Sequence, residues 1–242
     1  MTDFPRIEPL GEAAWLVRFA DRLDDGANRA CLAFRAGLLT DPPDNVAETA
    51  SSLGSVLVRM DDPRGADAVL SALERRLADR DWQAVPLPPR RLWRIPCCYD
   101  GDAAPEIEEA AALAGLSVPD AVAALSTTRV RVLALGFVPG MPYLGTLPPE
   151  WDLPRRSDLT PRVPEGALVV AVRQLVLFGT SSPTGWRQVG LTAFGCFRQD
   201  RDPPIALRAG DEVVFPAIDA EHLTDLQGAA DGLGGSVAED LE

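Results

Sequence analysis

Apolar and polar positions alternate in two rhythms along the first 98 residues. "EAAWLVRF" (12–19) has the composition of a strand. Over 24–40 the apolar residues Ala27, Ala30, Cys31, Phe34 and Leu38 recur at helical spacing, behind Asp24 and Asp25 as candidate caps. "NVAETAS" (45–51) and "SVLVRM" (55–60) read as short strands joined tightly around Gly54. Helical period returns over 65–79 through Val69, Leu70, Leu73 and Leu77. A proline-rich stretch (84–91) then leads into "LWRIPCC" (92–98), which reads as a strand. The order β-α-β-β-α-β predicts a split-βαβ, ferredoxin-like unit.

Beyond residue 98 the rhythm changes. "APEIEEAAALAG" has Pro105 where a first helical turn tolerates it and Gly115 as a stop, and "SVPDAVAAL" opens with Ser117 and Asp120 in capping-box spacing. Short strands follow at 129–135, 167–172, 174–179, 186–191 and 211–218, separated by glycine and proline. That spacing predicts a closed or nearly closed β-barrel. The fold class expected is α+β: a ferredoxin-like α/β domain over 1–90, a β-barrel domain over 91–218 with the 92–98 strand at the junction, and an acidic tail over 219–242, read as a short helix and a loose end.

Composition narrows the chemistry. All 23 basic residues are arginine, so neither a Schiff base nor a lysine-bearing phosphate loop can form. A net charge of −13 argues against a nucleic-acid partner. No apolar run approaches membrane-spanning length, and "MTDFPRIEPLGE" lacks the basic and apolar regions of a signal peptide, so the expected location is the cytoplasm, with no membrane partner. The four cysteines fit no zinc spacing and read as buried apolar residues; no metal site is expected. His222, the one histidine, reads as a solvated helix residue, which leaves no histidine for a catalytic triad.

One loop is conspicuous. "LGFVPGMPYLGTLP" (135–148) concentrates Gly136, Gly140 and Gly145 with Pro139 and Pro142, beside Phe137 and Tyr143. Proline fixes φ and removes donors, and glycine permits positive φ or close approach. Such a loop either lines a ligand site with free backbone N–H groups or makes a buried corner of the barrel.

This stretch resembles the GFxPGFPYLGGL signature of the KipI family, also described as allophanate hydrolase subunit 1, as the 5-oxoprolinase B subunit, and as carboxyltransferase subdomains C and D. Residues 161–192 resemble RVPxGSVGIAGGQTGIYPxxSPGGWxxIGRT without gaps, and 203–218 resemble PxLLxPGDxVRFxPI. The resemblance implies a ferredoxin-like domain followed by a cyclophilin-like barrel. It also implies a second, larger carboxyltransferase-like subunit as partner, a small-molecule substrate, and ATP, with Mg2+ beside it, used to activate a lactam before it is opened. By the same resemblance, Gly136, Phe137, Pro139, Gly140, Pro142, Tyr143, Gly145, Arg162, Gln174, Ser182 and Gly185 are the candidate substrate- or nucleotide-binding residues; no catalytic side chain is identified.

The chain departs from the family pattern. Leu125 and Ser126 stand where His-Ser is frequent, Val172 and Arg173 replace a glycine pair, Leu175 replaces threonine, Thr184 a glycine, and Leu191 an arginine. Three functions follow as alternatives: a subunit of an ATP-dependent 5-oxoprolinase-type hydrolase, the preferred reading; a regulatory binding protein such as a histidine-kinase inhibitor, its cleft closed by the larger side chains; or a divergent enzyme whose leucine-enlarged pocket takes a less anionic molecule.

Overall fold

The computed structural model describes residues 4–241; positions 1–3 and 242, the outermost residues of the expected first domain and of the tail, lie outside the described residues. The chain divides into two compact units, one ending at Pro89 and the other beginning at Arg90.

The first unit runs β1 (Arg6–Pro9), β2 (Ala14–Arg18), α1 (Asp25–Thr40), β3 (Val46–Ser52), β4 (Ser55–Met60) and α2 (Ala66–Ala78). Its strands form an antiparallel sheet in the order β1-β2-β4-β3. Asp24 caps α1, its carboxylate accepting the Ala27 N–H at 2.8 Å. The period-2 burial of β4 puts Val56, Val58 and Met60 against Phe34, Leu38, Val69 and Leu73. Phe34 sits at the centre, edge-to-face with Phe19 (5.7 Å) and Trp82 (5.0 Å). Both helices and the hairpin lie where the periodicity predicts them. The expected strand order is corrected: β1 precedes β2 at the start, and the strand at 92–98 belongs to the second unit.

That strand splits into β5 (Arg90–Arg94) and β6 (Cys97–Cys98), because Pro96 has no N–H for a ladder. After α3 (Ile107–Ala114) and α4 (Val118–Thr127) come β7 (Val130–Leu135), β8 (Pro142–Gly145), β9 (Thr160–Val163), β10 (Ala167–Ala171), β11 (Gln174–Leu177), β12 (Ser182–Thr184) and β13 (Arg187–Thr192). The chain ends with β14 (Glu212–Val214), β15 (Ala217–Ile218), α5 (Ala220–Leu226) and β16 (Val237–Leu241). Pairing runs β5-β14-β7-β8-β11-β10-β13-β6-β15. β5 and β6 are one kinked segment, and β14 and β15 are another, interrupted at Pro216; each segment pairs in parallel with the other at both ends of the path. The path therefore returns to its starting segments, which closes the sheet.

Leu168, Val170, Leu175, Leu177, Val189 and Phe215 fill the interior, and α3 and α4 add Ala110, Ala111 and Leu125 to the same core. β10 and β11 are buried on both faces: Val169, Ala171, Val176 and Phe178 form a second cluster with Met141 and Trp186. The loose end expected after residue 219 is corrected. β16 pairs antiparallel along β5, and Arg94 meets Glu239 at 3.2 Å. The unpaired edge of β5 offered backbone groups that needed a partner.

Candidate binding groove

The loop joining β7 to β8 is braced internally, Gly136 N–H donating to Met141 O (3.0 Å) and Met141 N–H to Val138 O (3.2 Å). Those two N–H groups are thus not free to meet a ligand. Gly140, at φ +75°, packs so closely on the Cys196 carbonyl that a Cβ there would collide with it. Phe137 also has left-handed backbone, φ +71°, and is 75% exposed. An exposed aromatic residue gains little from burial, so nothing in the core accounts for that strain.

Beneath Phe137 opens a groove of about 290 Å³. Met141, Val176, Phe178 and Trp186 form its apolar base, with Phe137, Tyr143, Leu159 and Pro183 around it. Its polar groups come from Arg155, Arg156, Ser182, Thr184 and Gly185. β9 and β12 pair as a separate two-stranded ribbon and deliver Ser182 and Thr184 to the groove.

Of the predicted site residues, Phe137, Tyr143, Ser182 and Gly185 line the groove. Gly136, Pro139, Gly140 and Pro142 shape the loop and its entry to β8 without lining it. Gly145 ends β8, lies between Arg131 and Gln174 in the sheet register, and precedes a cis peptide bond to Thr146. Gln174 is 8% exposed and its Nε2 has no hydrogen-bond partner among the described residues, yet it lies outside the groove lining. Arg162 is exposed and donates to Ser181 Oγ at 2.6 Å, also outside the lining.

The segment carrying Arg155 and Arg156 escapes the sequence reading, which favours Arg162 instead. Its signal is the arginine pair in "LPRRSD", immediately ahead of the ribbon, in an otherwise acidic chain. Backbone and side-chain bonds pin this segment. Arg156 N–H donates to Gly185 O (2.7 Å), the Arg156 guanidinium pairs with Glu106, and buried Arg187 donates to Pro154 O (2.7 Å) while pairing with Glu109 (2.9 Å). Arg155 lies over the Trp186 ring, 5.3 Å from its centroid, and makes no ion pair among the described residues. It is the uncompensated charge of the groove.

The departures from the family pattern sit mostly elsewhere. Leu125 and Leu175 are fully buried in the main core, and Leu191 packs among Trp186's neighbours and beside Cys98, outside the groove lining. Only Thr184 reaches the groove, and its Oγ1 accepts the Trp186 N–H at 3.1 Å. The leucines at the departure positions, Leu125, Leu175 and Leu191, therefore do not line this groove. Val172 and Arg173 keep the left-handed backbone their glycine counterparts would supply, φ +45° and +60°. They form the tight turn between β10 and β11, clamped by Val172 N–H to Leu153 O (2.8 Å) and Arg173 N–H to Trp151 O (3.0 Å).

All four cysteines are buried and free; burial pushes the Cys31 and Cys196 thiols up to about 12, away from nucleophile chemistry. His222 is exposed on α5. Among the described residues no group of three or more His, Cys, Asp or Glu side chains could hold a metal ion, and no single helix is long and apolar enough to cross a membrane.

The family described as carboxyltransferase domain, subdomain C and D, matches residues 5–207. A Bacillus subtilis (strain 168) protein named as the 5-oxoprolinase B subunit is 30% identical over 231 residues, covering 90% of this chain and 95% of that protein. A protein of Escherichia coli O157:H7 with the same name is 35% identical over 179 residues, 73% of this chain and 80% of that one. The solved structure of TTHA0988 matches with a TM-score of 0.71 at 31% identity over 86% of this chain, which spans 40% of the TTHA0988 chain. The chain belongs to the carboxyltransferase domain family, subdomain C and D.

Proposed function

We propose that the chain serves as a subunit of a 5-oxoprolinase-type complex and that its groove receives the lactam. The observation that carries this reading is an open, apolar-based groove under the Phe137 loop, in a chain related over nearly its whole length to proteins named as the 5-oxoprolinase B subunit. In this reading the first unit is a variant of the ferredoxin-like domain and the second a cyclophilin-like barrel. A larger carboxyltransferase-like subunit completes the complex, which works in the cytoplasm.

The reaction expected of such a complex uses ATP, and the groove does not suit a triphosphate. Its volume lies at the lower end of small-molecule sites. Arg156 is already neutralised by Glu106, leaving one arginine for a highly charged group, and the loop over the groove leads into a strand rather than a helix N-terminus. The nucleotide of the proposed complex therefore belongs outside this groove. What the chain contributes is binding: an apolar surface for a small ring, hydroxyls at Tyr143, Ser182 and Thr184, and one fixed cation.

Co-expression with the neighbouring gene product tests the proposal. A stable complex that hydrolyses ATP in response to 5-oxoproline is expected; a well-assembled complex without that turnover refutes it.

A further inference from the structure

The groove contains more specific information than its family membership. Two of its lining side chains are cationic: Arg155 and Arg156. Arg156 is spoken for by Glu106, whose second oxygen accepts the Gln188 N–H at 2.5 Å and whose first also accepts the Thr160 hydroxyl at 3.3 Å. That carboxylate already takes three donors, and Arg155 is not among them. Arg155 instead rests on the face of Trp186, a buried ring. An aromatic face under a guanidinium restricts its orientation while leaving its N–H edge free to donate.

We propose that Arg155 is the specificity-determining residue of the groove and that it selects a small monocarboxylate with a compact apolar body. This rests on reading the groove as the lactam site. The carboxylate takes the free edge of Arg155, and the body of the ligand lies against Met141, Val176 and Phe178. Whole-molecule electrostatics make the assignment sharp. A chain of net charge −13 repels anions in general, so preference for an acid over its neutral amide has to come from a local cation. Arg162, the arginine that sequence resemblance favours, lies outside the lining and is engaged by Ser181.

The test titrates the full chain, alone, with L-5-oxoproline and with its carboxamide, followed by calorimetry. The acid is expected to bind roughly tenfold or more tightly than the amide, the ratio that a charged hydrogen bond supplies. Arg155→Met should abolish that ratio while leaving amide binding in place, and Arg155→Lys should restore part of it. Added salt should narrow the ratio, because Arg155 is solvent-exposed. The proposal is overturned if the wild-type chain binds neither probe, if it fails to discriminate between them, or if Arg155→Met keeps the preference. It is likewise overturned if Arg155→Met weakens only assembly with the partner subunit, which would give the arginine to a protein carboxylate. The parent reading fails separately. Acid-selective binding without turnover in the assembled complex sinks that reading and leaves the Arg155 assignment standing, whereas turnover with an unchanged KM in Arg155→Met does the reverse.

Discussion

The carboxylate of Glu106 pairs with the guanidinium of Arg156 and, through its other oxygen, receives the N–H of Gln188. One side chain thereby ties the entry to α3, strand β13 and the groove-forming segment together. Glu106→Gln leaves Arg156 without its counter-charge. Destabilisation of about 2 kcal/mol is expected, below the ~3–5 kcal/mol of a fully buried broken pair because the Arg156 side chain is 31% exposed. Denaturant unfolding of Glu106→Gln, Arg156→Gln and the double variant should show a coupling of about 1 kcal/mol or more. Additive losses would mean that the pair does not act as a unit.

Val172 sits at φ +45° in a two-residue turn, an arrangement unfavourable for a β-branched residue. Val172→Gly should relieve about 1–2 kcal/mol of backbone strain and forfeit about 0.5–1 kcal/mol through the freer unfolded chain. A gain near 0.5–1 kcal/mol, seen as a rise of about 2 °C in Tm, is therefore expected. A lower Tm would show that Val172 makes a compensating contact.

Phe137→Gly separates stability from binding. The side chain is largely exposed, so its loss removes little packing, and glycine accepts φ +71° freely. Thermal unfolding should be unchanged or up to about 1 kcal/mol more favourable to the folded state. Calorimetric affinity for L-5-oxoproline should fall, because the groove loses a wall. A destabilised variant would instead make Phe137 a structural residue.

Alkaline pH should weaken the fold. Burial raises Cys31 and Cys196 from the ordinary thiol value of 9.0 to about 12, and it raises Cys97 and Tyr99 as well. Between about 9 and about 12 the unfolded chain releases protons that the folded chain keeps. Stability is therefore full below that window and declines as pH rises through it. Urea midpoints measured at pH 8, 9 and 10.5 should fall in that order, and Cys31→Ala should flatten the slope. In the native state at pH 8 all four thiols should resist a thiol reagent until the chain unfolds.

Much of the secondary structure is legible because it is encoded locally. The 3.6-residue spacing of Ala27, Cys31, Phe34 and Leu38, with Asp24 ahead of it, specifies α1 and its cap. The hairpin of β3 and β4 and the α2 period are equally local. β1 is not legible because "RIEP" is only four residues long and ends in proline. β16 is not legible because an acidic, exposed sequence reads as solvated chain; the edge of β5, distant in sequence, makes it a strand.

The groove divides the same way. Its glycine–proline loop and Ser182–Trp186 are visible in the sequence, since turn chemistry and aromatic composition are properties of adjacent residues. Membership in the carboxyltransferase family follows from such stretches taken in order. Which side chains share the groove is decided by strand pairing and long-range ion pairs: the β9–β12 ribbon and the Glu106–Arg156 pair put Arg155 and Ser182 on its walls and leave Arg162, Gln174, Leu175 and Leu191 outside the lining. The sequence alone determined the local elements and the family, because backbone preference and hydrophobic period act between neighbours. Only the tertiary structure decided the groove's composition and its one uncompensated charge, because these depend on contacts between residues about twenty to eighty positions apart.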